Sequence, residues 1–119
     1  MKKTVVIGAS DNPDRYSYLA TQKLAKYGHA VYAVGIKNGS IGEIPLTKEL
    51  KFIEGVDTVT MYVGPRHQPY WYEYILSLKP KRIIFNPGAE NSELVKMARE
   101  KGIETVEGCT LVMLSAGTY

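Results

Sequence analysis

The chain has 119 residues, of which 45% are apolar and 23% charged, a composition ordinary for a globular protein. This length fits one domain, which we expect to span residues 1–119. Fifteen Lys and Arg residues against twelve Asp and Glu residues give a net charge of +3. That excess favours an anionic ligand slightly, but the basic residues are too dispersed for a nucleic-acid surface.

The cysteine content and the lengths of the apolar runs bear on location. Cys109 is the only cysteine, which excludes an internal disulfide and fits a reducing compartment. No apolar run approaches the roughly 18 residues that a membrane helix needs. We therefore expect a soluble, cytoplasmic protein that has no membrane partner.

The predicted elements alternate between strand and helix along the chain. Short apolar runs predict five strands, at residues 4–7, 30–34, 57–63, 82–85 and 104–106. Helical spacing and end signals predict helices at residues 16–27, 47–52, 66–78 and 92–101, and a last short helix or turn at 109–114. Residues 37–45 are predicted to form a loop, because turn residues occur throughout that stretch.

This alternation predicts an α/β fold class: a single Rossmann-like open parallel sheet of about five strands, with helices on both faces. In such sheets ligands bind beyond the carboxyl ends of the strands, where the strand order reverses. Four loops are expected at that edge, namely residues 9–15, 35–42, 64–67 and 86–90.

The first of these loops has the chemistry of a phosphate site. It follows a strand that ends at Gly8, and the helix after it offers free N–H groups and the positive end of its dipole. Ser10 adds a hydroxyl donor, and Arg15 can bind phosphate through two hydrogen bonds. We expect a β-carbon at Gly8 to crowd such a phosphate. The alternative is that residues 11–13 only build a turn and that Arg15 is solvated.

Two features of the sequence oppose a dehydrogenase. Gly8 stands alone where a dinucleotide-binding loop has three glycines. The second strand runs into Gly35-Ile36-Lys37, with no Asp or Glu to bind the ribose hydroxyls. The cation of Lys37 suits a phosphate on the ribose better than it suits free ribose hydroxyls. The alternative is that Lys37 is only an exposed loop lysine.

Four motifs in this order and spacing resemble the small stand-alone CoA-binding domain proteins. They are G-A-S-D-N-P-D-R-Y-S-Y, V-Y-A-V-G-I-K, F-N-P-G-A-E-N and G-I-E-T-V-E-G-C-T-L-V-M-L. Those proteins are similar to the CoA-binding Rossmann domain of the succinyl-CoA synthetase α subunit, and the resemblance covers essentially the whole chain. It implies a Rossmann-like fold that binds CoA or an acyl-CoA across the strand ends, with the phosphates near the first loop.

The cofactor-binding residues that the resemblance implies, beside Gly8, fall into three groups. The nucleotide phosphates would be bordered by Ala9, Ser10 and Arg15. The 3′-phosphate would be approached by Lys37. The path of the adenine or the pantetheine would be bordered by Tyr62, Val63 and Gly64.

No catalytic or metal-binding constellation is predicted. His67 is more readily a first-turn helix residue than a base, and the carboxylate of Glu90 is explained by the helix that follows it. His29 is expected at the opposite end of the sheet, and Cys109 lacks a base partner in the sequence. We therefore expect a protein that binds a CoA thioester rather than an enzyme.

Two other functions stay open at this point. One is an NAD(P)-binding, reductase-like protein. The other is a regulatory interaction subunit that has lost nucleotide binding; many relatives have Asn-Pro at Gly35-Ile36, and we expect the glycine to loosen the loop that presents Lys37. A homo-oligomer or an unidentified protein partner is also open, because the aromatic stretch at residues 70–74 suits an interface as well as an amphipathic helix.

Overall fold

The structure, a computed structural model, describes residues 1–119 and contains one seven-stranded sheet. The strands are β1 (Thr4–Ile7), β2 (Val31–Val34), β3 (Gly39–Ile41), β4 (Ile44–Thr47), β5 (Thr58–Met61), β6 (Arg82–Phe85) and β7 (Glu104–Glu107). Their order across the sheet is β3-β4-β2-β1-β5-β6-β7, and all neighbours are parallel except β3 and β4. The predicted α/β fold with a mostly parallel, Rossmann-like sheet is confirmed.

Helices cover both faces of this sheet. They are α1 (Tyr16–Lys26), a 3-10 helix (Pro65–Trp71), α2 (Tyr72–Ser77), α3 (Ser92–Glu100) and α4 (Thr110–Ala116). In β1, Val5 and Ile7 are buried in the core that includes residues of α2 and α3, whereas Val6 is buried in the core that includes residues of α1 and α4. This alternation explains why an unbroken apolar run forms the central strand. None of the helices has the length and apolar content needed to cross a bilayer.

The predicted count of about five strands was too low. Residues 37–45, predicted as a loop, include most of a hairpin in which β3 and β4 pair antiparallel, with Gly42 at φ +60° in its turn. The helix predicted at residues 47–52 is absent, because β4 runs to Thr47 and residues 48–53 have no helical structure. Ile41 and Leu46 are buried, and β4 pairs with β2. Burial and strand pairing therefore override the local turn propensity.

The helix predicted at residues 66–78 is divided in two. Its first part is the 3-10 helix, which contains Pro69, a residue with no N–H to donate to a helical hydrogen bond. Of the aromatic residues at 70–74, Trp71 and Tyr74 are buried, Tyr72 is half-buried and Tyr70 is exposed.

The strand order reverses at β1. From β1 the chain passes to β2 on one side, and after the hairpin it returns to β5 on the other side of β1. The carboxyl ends of these parallel strands share one edge of the sheet. The loops that follow them surround the position where open α/β sheets bind their ligands.

Candidate functional site

A cleft of about 600 Å³ opens at this carboxyl edge, between the loops that follow β1, β2, β5 and β6. The cleft brings together all the residues predicted from the sequence as cofactor-binding: Gly8, Ala9, Ser10, Arg15, Lys37, Tyr62, Val63 and Gly64. Six lining residues were missed, namely Tyr16, Ser17, Ile36, Pro87, Gly88 and Ala89. Four of these belong to loops that the topology had already placed at this edge. They lie within the quoted motifs, but none of them has a charged or hydroxyl side chain that would have singled it out as a ligand contact.

The charged residues that line the cleft are both basic. Arg15 and Lys37 are its only charged lining residues, and no carboxylate, histidine or cysteine lines it. Two cations at the mouth of a concave site raise the local concentration of anions. The cleft is therefore suited to an anionic ligand.

The beginning of α1 adds to this positive character. Arg15 occupies the N-cap position with an extended backbone, no side chain caps the helix, and its first turn has no acidic residue. The backbone N–H groups of Tyr16 and Ser17 donate no hydrogen bond within the protein. Helix N-termini usually satisfy such groups with a Ser, Thr, Asp or Asn cap. The helix thus presents free donors and the positive end of its dipole at residues that line the cleft.

The start of α3 is built differently. There the Oδ1 atom of Asn91 accepts hydrogen bonds from the backbone N–H groups of Glu93 and Leu94, at 3.0 and 3.4 Å. The carboxylate of Glu93 also lies in the first turn. This N-terminus is satisfied by the protein itself, whereas α1 leaves its first donors free for a ligand in the cleft.

The first loop is held by hydrogen bonds to the end of β2 and by its own side chain at Ser10. Its first two amides, of Gly8 and Ala9, both donate to the carbonyl of Val34, at 2.9 and 3.0 Å, so neither is free for a ligand. Ser10 Oγ accepts from the backbone N–H of Asn12 at 3.1 Å and keeps its hydroxyl proton to donate. The loop thus contains a turn, and the hydroxyl of Ser10 lines the cleft.

Gly8 lines the cleft and is also required by the packing of two strand ends. Its φ is +86°, and a β-carbon would lie 2.8 Å from the carbonyl oxygen of Tyr62 and 2.6 Å from Cγ2 of Val63. A side chain here would collide with the residues after β5. The crowding of a phosphate by the same β-carbon stays a prediction. Glycine is required because β1 and the chain after β5 meet at this point.

Gly35 tightens the second loop rather than loosening it. A β-carbon on Gly35 would lie 2.3 Å from the carbonyl oxygen of Ala9, and the Gly35 amide donates to the carbonyl of Thr47 at 2.9 Å. Further along the loop, Asn38 Oδ1 accepts from the amide of Lys48 at 3.0 Å. Lys37 therefore stands on an anchored loop that packs directly on the loop after β1.

Tyr62 contributes a neutral aromatic wall. Its hydroxyl is buried without a hydrogen-bond partner, and burial raises the pKa of this phenol well above its usual value. The group therefore stays protonated at physiological pH and supplies no base to the cleft.

Two buried amide side chains, neither recognised from the sequence, fix the walls of the cleft. Gln68 is fully buried; its Nε2 donates to the carbonyls of Val63 and Ala89, at 2.8 and 2.7 Å. Asn86 Nδ2 donates to the carbonyl of Met61 at 2.8 Å. Both side chains join the chain after β6 to the β5 side of the cleft, Asn86 at the last residue of β5 and Gln68 from the chain that follows it. A polar residue directly after an apolar strand was the available signal for Asn86, whereas Gln68 carried none.

The remaining candidates lie outside the cleft lining. His67 is exposed on the 3-10 helix, and Cys109 is half-buried at the N-cap of α4. His29 Nδ1 accepts from the backbone N–H of Lys2 before β1, and burial lowers the pKa of this imidazole. The structure contains no group of three or more His, Cys, Asp or Glu side chains arranged to hold a metal ion.

The chain is similar to several known proteins. It is 29% identical over 105 residues to the uncharacterized protein YneT of Bacillus subtilis (strain 168), which covers 85% of this chain and 76% of YneT. A crystal structure of an uncharacterized protein shares 55% identity with a TM-score of 0.97, over 100% of this chain and 98% of that one. A hypothetical protein from Pyrococcus horikoshii OT3 shares the fold, with 24% identity, a TM-score of 0.87 and coverage of 97% of this chain and 82% of that one.

A family model that describes a CoA binding domain matches residues 2–115. The match takes in the seven strands and every residue that lines the cleft. The chain therefore belongs to the CoA binding domain family.

Proposed function

We propose that the protein binds CoA or an acyl-CoA in the cleft at the carboxyl edge of the sheet, and that it does so without catalysing a reaction. The phosphates would be held by Arg15, Lys37 and the free amides at the start of α1. The observation that carries the proposal is the joint presence of two cations, an uncapped helix N-terminus and no carboxylate in one cleft. In a member of a CoA-binding family, these groups suit the several phosphates of CoA.

The volume of the cleft also fits a cofactor of this kind. At about 600 Å³ it lies within the range of about 300–1,000 Å³ typical of small-molecule sites. The ring of Tyr62 and the exposed side chains of Tyr16 and Ile36 add apolar surface for the uncharged parts of the molecule.

The absence of catalysis is proposed from the same lining residues. General acid–base or nucleophilic chemistry needs a positioned His, Asp, Glu, Cys or activated Ser. The lining serines, Ser10 and Ser17, have no histidine or carboxylate beside them in the cleft. Binding is then the whole contribution of this chain, and any reaction of the thioester would belong to another protein.

Two features disfavour NAD(P). After β2 the cleft receives Ile36 and Lys37 and no acidic residue that could accept from the ribose hydroxyls. The amides of Gly8 and Ala9, where a dinucleotide-binding loop would approach pyrophosphate, are already bonded to Val34. Loss of ligand binding, the remaining alternative, finds less support once Gly35 is seen to anchor its loop.

Isothermal titration calorimetry tests the proposal directly. CoA, acetyl-CoA, NADH and ADP are titrated at one ionic strength, since binding of phosphates depends on salt. We expect CoA and acetyl-CoA to bind with similar affinity, and both more tightly than NADH. NADH binding that is tighter than CoA binding would support the dinucleotide alternative, and no heat with any CoA species would refute the proposal.

The location and the partners of the protein follow from this function. A CoA ligand and a single half-buried cysteine suit the reducing conditions of the cytoplasm, which we propose as its location. The small-molecule partner would be CoA or its thioester.

A further inference from the structure

One carboxylate contacts a cation of the cleft. Oδ1 of Asp11 lies 3.1 Å from Nζ of Lys37. The only other ion pair in the protein joins Lys51 and Glu49, which do not line the cleft. Arg15 has no acidic partner. The two cations of the cleft therefore differ: one is free, and the other is already paired.

The carboxylate of Asp11 is the better-fixed member of this pair. Its side chain is 33% exposed against 62% for that of Lys37. A β-carbon on Gly39, at the start of β3, would lie 3.0 Å from the other carboxylate oxygen. Asp11, which belongs to the loop after β1, thus packs against the start of the hairpin. Lys37, on its flexible four-carbon stem, is the member that can turn toward a ligand.

We propose that Asp11 is a specificity-determining residue of this site: its carboxylate competes with a ligand phosphate for Lys37 and so limits the discrimination between ligands with and without a phosphate on the ribose. This inference rests on the proposed CoA function. A phosphomonoester carries nearly two negative charges at neutral pH and outcompetes one carboxylate for the ammonium group. The free energy needed to separate Lys37 from Asp11 is subtracted from the attraction between Lys37 and the phosphate, so the affinity for the phosphate is lower.

A matched pair of variants isolates this effect. Asp11→Asn frees Lys37 while it keeps the shape of the side chain. Asp14→Asn removes the same charge from the same loop, at an exposed residue that has no ion pair. Because exposed ion pairs contribute little to stability, both variants should melt within a few degrees of the wild type, which thermal denaturation checks.

The two variants are titrated with CoA and with 3′-dephospho-CoA, which differ only in the ribose phosphate. We expect Asp11→Asn to bind CoA about three- to fivefold more tightly than Asp14→Asn, the upper part of the range that an exposed ion pair can supply. The two variants should bind 3′-dephospho-CoA equally. Equal affinities for CoA, a loss of CoA affinity in Asp11→Asn, or the same gain with both ligands would each overturn the proposal.

Combining Asp11→Asn with Lys37→Met tests whether the gain in CoA affinity depends on Lys37. If Asp11 acts by occupying Lys37, the gain from Asp11→Asn disappears when Lys37 is replaced, and a gain that persists would contradict competition. Wild-type protein that binds neither ligand would refute the proposed function itself. Wild-type protein that binds CoA while the Asp11 and Asp14 variants behave alike would refute only this inference.

Discussion

Gly35 lies so close to Ala9 that a β-carbon on the glycine would stand 2.3 Å from the alanine carbonyl oxygen. Through this contact the chain after β2 packs directly on the chain after β1. The backbones that present Lys37 and Ser10 to the cleft are therefore held at one fixed separation.

Gly35→Ala should disrupt this contact. A 2.3 Å approach cannot be relieved by a side-chain rotation, because the neighbour is backbone, so we expect a loss of roughly 2 kcal/mol or more in the free energy of unfolding. Urea denaturation measures it. Gly64→Ala is the matched control, since no atom lies within 4 Å of its β-carbon position and its φ of −61° suits alanine. A Gly35 variant as stable as the Gly64 variant would contradict the packing described here.

Arg15→Ala should weaken CoA binding more than Lys37→Ala. The guanidinium of Arg15 is free to bind phosphate, whereas Lys37 must first leave Asp11. A charge-assisted hydrogen bond contributes about 1.5–3 kcal/mol, so we expect a loss of about tenfold or more for Arg15. Calorimetric titration compares both variants with Lys96→Ala on α3, outside the cleft lining. Equal losses from the two cleft variants would count against this assignment.

Arg15→Asp should separate stability from binding. An aspartate at the N-cap of α1 can accept a hydrogen bond from the free N–H group of Ser17, and its negative charge interacts favourably with the positive end of the helix dipole. We therefore expect the free energy of unfolding to rise by about 1 kcal/mol. CoA binding should fall below detection, because a carboxylate would replace the cation. Lys96→Glu makes the same charge change away from the cleft and should keep most of the affinity. A variant of Arg15 that binds CoA as well as this control would exclude α1 from the phosphate site.

Two tyrosine-to-phenylalanine variants should behave oppositely. The hydroxyl of Tyr62 is buried without a partner, so Tyr62→Phe should leave the free energy of unfolding unchanged or raise it by up to about 1 kcal/mol. The hydroxyl of Tyr74 donates to the carbonyl of Lys51 at 2.7 Å, so Tyr74→Phe should cost about 1 kcal/mol. Thermal or urea denaturation without ligand measures both. A destabilised Tyr62 variant would mean that its hydroxyl has a partner in solution.

The sequence predicted those parts of the fold that local pattern determines. β6 occupies the predicted residues because an apolar run is bounded by Pro80 and Asn86. The β3–β4 hairpin was missed because Gly39, Gly42 and Pro45 indicate a loop, and only pairing of β4 with β2 makes it part of the sheet.

In the candidate site, too, the sequence predicted what local pattern determines and missed what depends on contacts between distant residues. Residues with recognisable chemistry or motif position, such as Arg15 and Lys37, were found to line one cleft. Gln68 was missed because its burial depends on contacts with Ala89 and Asn91, which are more than 20 residues away in the chain. The pairing of Lys37 with Asp11 was likewise hidden, since it depends on how two loops meet at one edge of the sheet.

The most direct test of the central claim, that CoA binds in the cleft at the carboxyl edge, is a titration of ¹⁵N-labelled protein with CoA followed by amide chemical shifts. We predict the largest changes at the free amides of Tyr16 and Ser17 and at Gly64 and Gly88, all of which line the cleft. The amide of Gly102, at the far end of α3, should not move. Shifts confined to residues outside the cleft, or none at saturating CoA, would contradict the claim.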